Sequence, residues 1–239
     1  MLQRLDNYLV EEGLATSRNK AQTLIKDGFV SVNGEQIIKS SFVIKESDRV
    51  VVNEHKEFVS RAAFKLSSFL DELGLDLKGM VALDIGSSTG GFTQVLLESG
   101  VKEVSAVDVG REQLHISLKN DARVHSYEEC DIREFKSDKK FDIVVSDVAF
   151  ISLLNILDAV DRFANDKIIL LFKPQFEVGR EAKRDKKGVV TDEKAILHAM
   201  IKFEDACALL GWKLIQKSAS KLTGKEGNLE YCYFFEKQF

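Results

Sequence analysis

The spacing of hydrophobic positions changes several times along the chain, and each change marks an element. Leu2, Leu5, Leu9 and Val10 recur at helical spacing and predict an amphipathic helix that ends near Gly13. Thr16 or Ser17 supplies a capping hydroxyl for a second helix over residues 17–26. Its inner face is Ala21, Leu24 and Ile25, its outer face carries Arg18, Lys20 and Lys26, and Gly28 stops it. Residues 29–32 then alternate as a strand, Asn33-Gly34 predicts a tight hairpin turn, and residues 48–52 give a further strand. The polar run Asn53-Glu54-His55-Lys56-Glu57 follows. The pattern predicts a small α+β domain over residues 1–53, a linker over 54–59 and a larger domain over 60–239.

The larger domain alternates strands and helices. Ser60 is placed to cap a helix with Ala62, Ala63, Leu66, Phe69, Leu70 and Leu73 on one face, and Lys65 lies within it. Strands are expected at 81–85, 104–108, 121–125, 129–133, 141–147 and 167–173, the last stopped by Pro174, the only proline. Helices are expected at 151–163 and 193–210, and an antiparallel terminal pair of strands at 212–217 and 230–235. Strands interleaved with helices predict an α/β, Rossmann-like fold: a mostly parallel sheet with an antiparallel terminal strand.

Candidate chemistry concentrates at strand ends. Val81-Ala82-Leu83-Asp84-Ile85 runs into Gly86-Ser87-Ser88-Thr89-Gly90-Gly91-Phe92, a strand, a glycine-rich turn and a helix start. Gly86 permits a sharp turn, and Gly90 and Gly91 permit close approach of a ligand and of the helix to the sheet. The order Asp-x-Gly-x-x-x-Gly-Gly fits neither the dinucleotide fingerprint nor a P-loop. With Asp84 beside the loop, a cationic, phosphate-free cofactor such as S-adenosylmethionine is the better match. Asp108 ends the next strand about twenty residues on, where an acid can accept from both hydroxyls of a nucleoside ribose. Ligands of open α/β sheets bind at the carboxyl ends of strands, which places Asp84, Asp108, Asp131, Asp147 and Lys173 on one rim. An alternative reading of the loop is a plain turn in an α/β fold.

Composition then excludes some classes. The chain has 239 residues, 44% hydrophobic and 30% charged, enough for a sizeable core. Its start, Met1-Leu2-Gln3-Arg4-Leu5-Asp6, carries charge in every turn, unlike a secretory signal, and no apolar run reaches the length of a membrane span. Cys130, Cys207 and Cys232 are widely spaced, and His55, His115, His125 and His198 form no ligand pattern, so reduced thiols, a cytoplasmic location and no metal are expected. The net charge of −4 means that any nucleic-acid site must come from local clusters. The run Arg180 to Lys187 is such a cluster, readable as an exposed loop or as a phosphate contact.

Two resemblances sharpen these expectations. Arg4-Leu5-Asp6 with Leu9, then Ser17-Arg18, Ala21, Leu24-Ile25, Gly28, Val30 and Val32-Asn33-Gly34, resembles the αL RNA-binding domain of small-subunit ribosomal protein four and the pseudouridine synthases. That resemblance implies an RNA-facing role for Arg4, Arg18, Lys20 and Lys26. Ser60-Arg61-Ala62-Ala63-Phe64-Lys65-Leu66, Asp84-Ile85-Gly86, Thr89-Gly90-Gly91-Phe92, Ser146-Asp147, Phe172-Lys173-Pro174 and Gly227-Asn228-Leu229-Glu230 look like the FtsJ-type ribose 2′-O-methyltransferases. The αL domain in front makes the whole chain similar to the TlyA, or hemolysin A, family of rRNA methyltransferases. The family's Lys-Asp-Lys-Glu tetrad falls on Lys65, Asp147, Lys173 and Glu230. One departure is visible: the family's often proline-rich approach to the final glutamate reads Ser220-Lys221-Leu222-Thr223-Gly224 here.

The resemblance implies S-adenosylmethionine as cofactor and ribosomal RNA or ribosomal subunits as partner, with cytidine ribose of the large subunit, and in some members the small one, as target. It implies Lys173 as general base, Lys65 as its like-charged neighbour, and Asp147 and Glu230 as orienting acids. Competing readings are a methyltransferase acting on a base or on protein, a membrane-lytic protein and a non-catalytic assembly factor. A base-amine enzyme commonly shows Asn/Asp-Pro-Pro-aromatic, whereas this chain has Ser146-Asp147-Val148-Ala149.

Overall fold

The computed structural model describes residues 2–26, 28–52 and 58–238. The chain divides into two compact units, Met1–Glu57 and Phe58–Phe239. Residues 54–57 of the expected linker lie outside the described residues. Its remaining two residues belong to the second unit, where the Phe58 ring meets Phe64 edge-on at 4.6 Å and the Val59 N–H donates to Gln94 Oε1 at 2.8 Å.

In the first unit, β1 (Gln3–Arg4) leads into α1 (Leu5–Glu11), and α2 (Arg18–Lys26) follows. Ser17 is the residue that caps α2, its Oγ accepting the Lys20 N–H at 3.2 Å. A hairpin joins β2 (Val30–Val32) to β3 (Glu35–Gln36). Its turn residues Asn33 and Gly34 both have positive φ, 53° and 86°, as a two-residue turn between right-twisted strands requires. β4 (Val43–Ile44) pairs with β1, and β5 (Val50–Val52) with β2. Leu5, Leu9, Ala21, Leu24, Ile25, Val30 and Val32 close a small core.

The second unit begins with α3 (Ala62–Leu73), β6 (Val81–Ile85), α4 (Gly91–Glu98) and β7 (Glu103–Val107). It continues with α5 (Ile116–Lys119), β8 (Val124–Tyr127), β9 (Phe141–Ser146), α6 (Leu157–Phe163) and β10 (Ala164–Phe172). α7 (Pro174–Glu177), α8 (Glu193–Leu209), β11 (Trp212–Ala219) and β12 (Tyr231–Lys237) complete it. Seven strands form one sheet in the order β11-β12-β10-β9-β6-β7-β8, with β12 antiparallel to β10 and β11 and the other pairs parallel. The chain builds outward from β6 through β7 to β8, then returns to the other side of β6. That reversal opens a crevice at the carboxyl ends of β6 and β9, where such sheets bind ligands.

Both faces of the sheet are covered, so the strands alternate between two cores. Ile168, Leu170 and Phe172 join α6 and α8 on one face, while Ile169 and Leu171 join α3 and α4 on the other. Ala82, Ile143, Val145, Cys232 and Phe234 share the α3 face. Counting on by two residues carries Asp84, Asp147, Lys173 and Glu230 to that same face.

Several expected elements differ locally. Residues 129–133 form no strand, because the Asp131 side chain and carbonyl take the N–H groups a ladder would use. Oδ1 accepts from Arg133 at 2.9 Å, and the carbonyl accepts from Glu134 and Phe135 at 2.9 Å each. The strand expected at 121–125 is displaced to β8. The helix expected over 151–163 starts instead as a 3₁₀ turn, Leu153–Asn155, capped by Ser152, and reaches α-geometry only in α6. Pro174 does end β10, and it also opens α7 from its first position, where a missing N–H costs nothing. Arg61, without a side-chain cap, stands before α3 in place of Ser60. Among the described residues no helix is long and apolar enough to cross a membrane.

Candidate active site and nucleic-acid interface

A cavity of about 280 Å³ lies at the switch point, bounded by the ends of β6, β7 and β9. Gly86, at φ +77°, forms its floor. A Cβ there would sit 3.1 Å from the Val148 Cα and 3.2 Å from the Asp147 carbonyl, so only glycine lets β6 and the loop after β9 meet. Ser88, Asp108, Asp131 and Asp147 also line the cavity, with Val107, Val109, Ile132 and Ile156 as apolar wall. Asp108 ties two loops together: Oδ2 accepts the Ser88 N–H at 2.8 Å and Oδ1 the Gly110 N–H at 2.6 Å. Asp131 carries Arg133 on its carboxylate at 2.5 Å, and the guanidinium holds that carboxyl below the usual carboxylate range.

Other expected cofactor residues stand behind this wall. Asp84 is fully buried and does not line the cavity; it receives the Thr93 hydroxyl on Oδ2 at 2.6 Å, and Oδ1 has no hydrogen-bond partner. Burial pushes its carboxyl up to about 7, so it is no fixed negative charge at neutral pH. This corrects the expectation that Asp84 keeps the site acidic: Asp108, Asp131 and Asp147 are the carboxylates on the cavity surface. Ser87 is buried, and Thr89 gives its carbonyl to the His115 N–H. Phe92 packs into the core. Gly90 leaves room for Leu118 and Leu114, and Gly91 for Ser60 Oγ and the Ala63 backbone. These two glycines serve close packing of α4 and are not part of the cavity lining.

The four tetrad positions meet as two ion pairs. Lys65 lies one turn before Phe69 on the buried side of α3, and its ammonium reaches Glu230 Oε2 at 2.5 Å. Glu230, 2% exposed, also accepts Gln175 Nε2 at 3.0 Å. Lys173 and Asp147, just past the ends of the adjacent strands β10 and β9, pair at 2.6 Å. A second cavity of about 610 Å³ is lined by Lys65, Lys173, Gln175 and Glu230. Ala149 and Phe150 line both cavities, and Asp147 lines the first while its partner Lys173 lines the second. The lysine–carboxylate pair therefore stands where the two spaces join. Phe150, at φ +64° and 92% exposed, meets the Phe176 ring at 5.3 Å. Gln175 and Phe150 carry no sequence motif of their own; their roles come from position beside Pro174 and Asp147.

In the first unit the expected RNA-facing cations fall into two sets. Arg4 and Arg18 converge on Asp6, which is fully buried. Arg4 Nε and Nη2 donate to its two oxygens at 3.0 Å each, Arg18 Nε donates at 3.1 Å and Gln22 Nε2 at 2.9 Å. The Arg4 guanidinium, helped by Gln22 and Arg18, holds the Asp6 carboxyl well below the usual range. The arginine side chains stay 42% and 54% exposed. Lys26 is exposed and Lys20 half-buried. Asp6 organises this surface, yet on sequence alone it is one acid in an amphipathic helix.

This geometry is that of a Rossmann-like transferase domain joined to a small nucleic-acid-binding module. A model of FtsJ-like methyltransferases matches residues 58–237, and a model of the S4 domain matches residues 3–50. The 23S rRNA (cytidine-2′-O)-methyltransferase TlyA of Campylobacter jejuni is 46% identical over 97% of this chain and 98% of its own length. The 16S/23S rRNA (cytidine-2′-O)-methyltransferase TlyA of Mycobacterium tuberculosis is 37% identical over 98% and 90%. A solved structure from Streptococcus thermophilus, described as a candidate hemolysin, superposes with a TM-score of 0.73 at 32% identity, covering 99% of this chain and 89% of its own. The chain belongs to the TlyA family of FtsJ-like methyltransferases.

Proposed function

We propose that this protein is an S-adenosylmethionine-dependent rRNA 2′-O-methyltransferase that modifies a cytidine ribose of the large ribosomal subunit, with Lys173 as general base. The observation that carries the reading is the buried Lys173–Asp147 pair at the junction of two cavities, with Lys65–Glu230 beside it. The first cavity fits the cofactor: its carboxylates suit ribose hydroxyls and a cationic ligand, and its apolar wall suits an adenine. Asp108 is placed to accept ribose hydroxyls on lone pairs its backbone donors leave free. S-adenosylmethionine, when bound, supplies a methyl group on a sulfonium. The second cavity receives the target ribose.

A ribose hydroxyl is a weak acid, so its oxygen attacks well only as its proton leaves. In the neutral form, Lys173 takes that proton from the 2′-oxygen, and Asp147 holds the amine in line and then stabilises the ammonium that forms. Lys65, fixed by Glu230 and through it by Gln175, presents a second cation to the developing oxyanion. General-base help of this kind contributes about 10²–10⁴ in rate, and positioning accounts for much of the remainder. The burial and mutual pairing of all four groups favours catalysis over a purely binding role.

Single-turnover transfer of labelled methyl to purified large and small subunits tests the reading. Label in large-subunit rRNA, mapped to a cytidine 2′-oxygen, is expected. Label on a base, or on small subunits alone, overturns it.

A further inference from the structure

The second cavity holds three cations that the tetrad does not use: Arg184, Lys187 and Lys225. They stand on two loops. In the first, Asp185 Oδ1 accepts the N–H groups of Lys187 at 2.8 Å and Val189 at 2.9 Å, and Arg184 faces Val190 in an antiparallel bridge. In the second, the Gly224 N–H donates to the Asn228 carbonyl at 2.8 Å, and the Gly227 N–H to the Gly224 carbonyl at 2.9 Å. Asn228 staples the loops together. It is 5% exposed, and its Oδ1 accepts the Val190 N–H at 2.9 Å. A buried amide used on another loop's backbone fixes the separation of the two segments. The second loop runs directly into Glu230.

Some surface cations of the same unit are matched by an acid. Arg123, Lys139 and Lys217 each find a carboxylate, at 2.7, 2.9 and 2.8 Å. Among the described residues no ion pair joins Arg184, Lys187 or Lys225 to an acid. Lys65 and Lys173 are already matched by Glu230 and Asp147. The cavity also carries the carboxylate of Glu226, and Arg184 Nη2 donates to the Gln175 carbonyl at 3.4 Å; the three cations still outnumber that acid and leave net positive charge at the mouth, held on ordered backbone.

Nucleotide chemistry supplies a match. The 2′-oxygen and the 3′-oxygen of a ribose sit on neighbouring carbons, and in RNA the 3′-oxygen carries the phosphate to the next nucleotide. A ribose that brings its 2′-hydroxyl to Lys173 brings that phosphate into the same cavity. We propose that Arg184, Lys187 and Lys225 form a seat for the backbone phosphate adjoining the target ribose, separate from the arginine surface of the first unit. The inference rests on the ribose-methylation reading above. A guanidinium fork and two mobile ammonium groups suit phosphate oxygens. Seating the phosphate fixes which 2′-oxygen stands at the base.

The test uses the full chain and ribosomal subunits from cells lacking it. Methyl incorporation is followed across a salt series for the wild type, for Arg184→Ala, Lys187→Ala and Lys225→Ala, and for the triple variant. All three side chains are exposed, so the melts are expected to coincide with wild type, as is S-adenosylmethionine affinity by calorimetry. KM for subunits is expected to rise several-fold with each substitution, and the salt dependence of log KM to flatten by about one unit of slope per cation removed. A triple variant with unchanged KM and salt slope overturns the seat, as does a loss confined to kcat. Wild-type protein that methylates neither subunit overturns the ribose-methylation reading and the seat with it. The two failures differ in whether the wild type is active.

Discussion

The two units solve opposite electrostatic problems with similar groups. In the first, one buried acid, Asp6, serves two arginines whose side chains remain about half exposed. The cluster keeps a net positive charge and presents fixed N–H groups to solvent. In the second, each tetrad lysine has its own acid, and the Lys65 and Lys173 side chains are only 10% and 11% exposed. That set is balanced overall and withdrawn from water. A guanidinium holds its proton more tightly than an ammonium does, so it suits a permanent phosphate contact, whereas an ammonium is the group that a site can recruit for proton transfer. On the proposed reading, one acid per two cations leaves charge to offer a phosphate, and one acid per cation leaves a balanced set suited to proton transfer.

The largest effect is expected from breaking the chemical side. Lys173→Ala should lower single-turnover methyl transfer by about 10²–10⁴ with cofactor and RNA binding nearly unchanged, a loss specific to the transition state. Lys173→Arg should fail almost as badly despite keeping the charge. An active Arg variant, or an Ala variant whose loss of activity follows its melt, would reduce Lys173 to a sheet-edge ion pair. Next, Glu230→Gln strands the buried Lys65 ammonium without its countercharge, and breaking such a pair costs about 3–5 kcal/mol. Denaturant titration of the full chain measures it, and a variant within experimental error of wild type would mean that water reaches Lys65 freely.

The binding side should respond more mildly. Asp6→Asn loses charge-assisted hydrogen bonds from two arginines, at a cost of about 1.5–3 kcal/mol. RNA affinity should fall while cofactor affinity stays. The pH dependence has a definite sign. The arginines lower the Asp6 carboxyl in the folded state, so its contribution is fully present above the unfolded value of about 4 and is lost as pH falls through the folded value. The Asn variant should lack that acid-side loss, and equal acid sensitivity in both proteins would remove Asp6 from the account. Asp108→Ala gives the smallest effect, about 1–3 kcal/mol in S-adenosylmethionine binding. Calorimetry showing unchanged affinity in a folded variant would take Asp108 out of the cofactor cavity.

Much of this was legible in the chain itself. Strand and helix periods were strong wherever apolar residues were buried, as in the runs before Gly86, Asp147 and Lys173. Alternation by two residues also set which charged residues share a face of the sheet. Local signals such as Ser17, Asn33-Gly34 and Pro174 act within a few residues, so their turns and caps could be read directly. Prediction weakened where side chains compete with backbone, as Asp131 does at the position expected to be a strand.

What the sequence determined by itself was therefore the long strands and helices of the sheet, the two-domain organisation of its motifs, and the placing of acids and lysines at strand ends. Those depend on period and nearest-neighbour chemistry. Only the tertiary structure decided that Lys65 takes Glu230 and Lys173 takes Asp147. It also decided that Asp84 lies beneath the cavity wall, that Gly90 and Gly91 serve packing, and that Asp6 gathers two arginines. Each of these is a contact between residues distant in sequence or a matter of burial. Coulomb energy and desolvation depend on distance and on exclusion of water, and neither exists until the chain has folded.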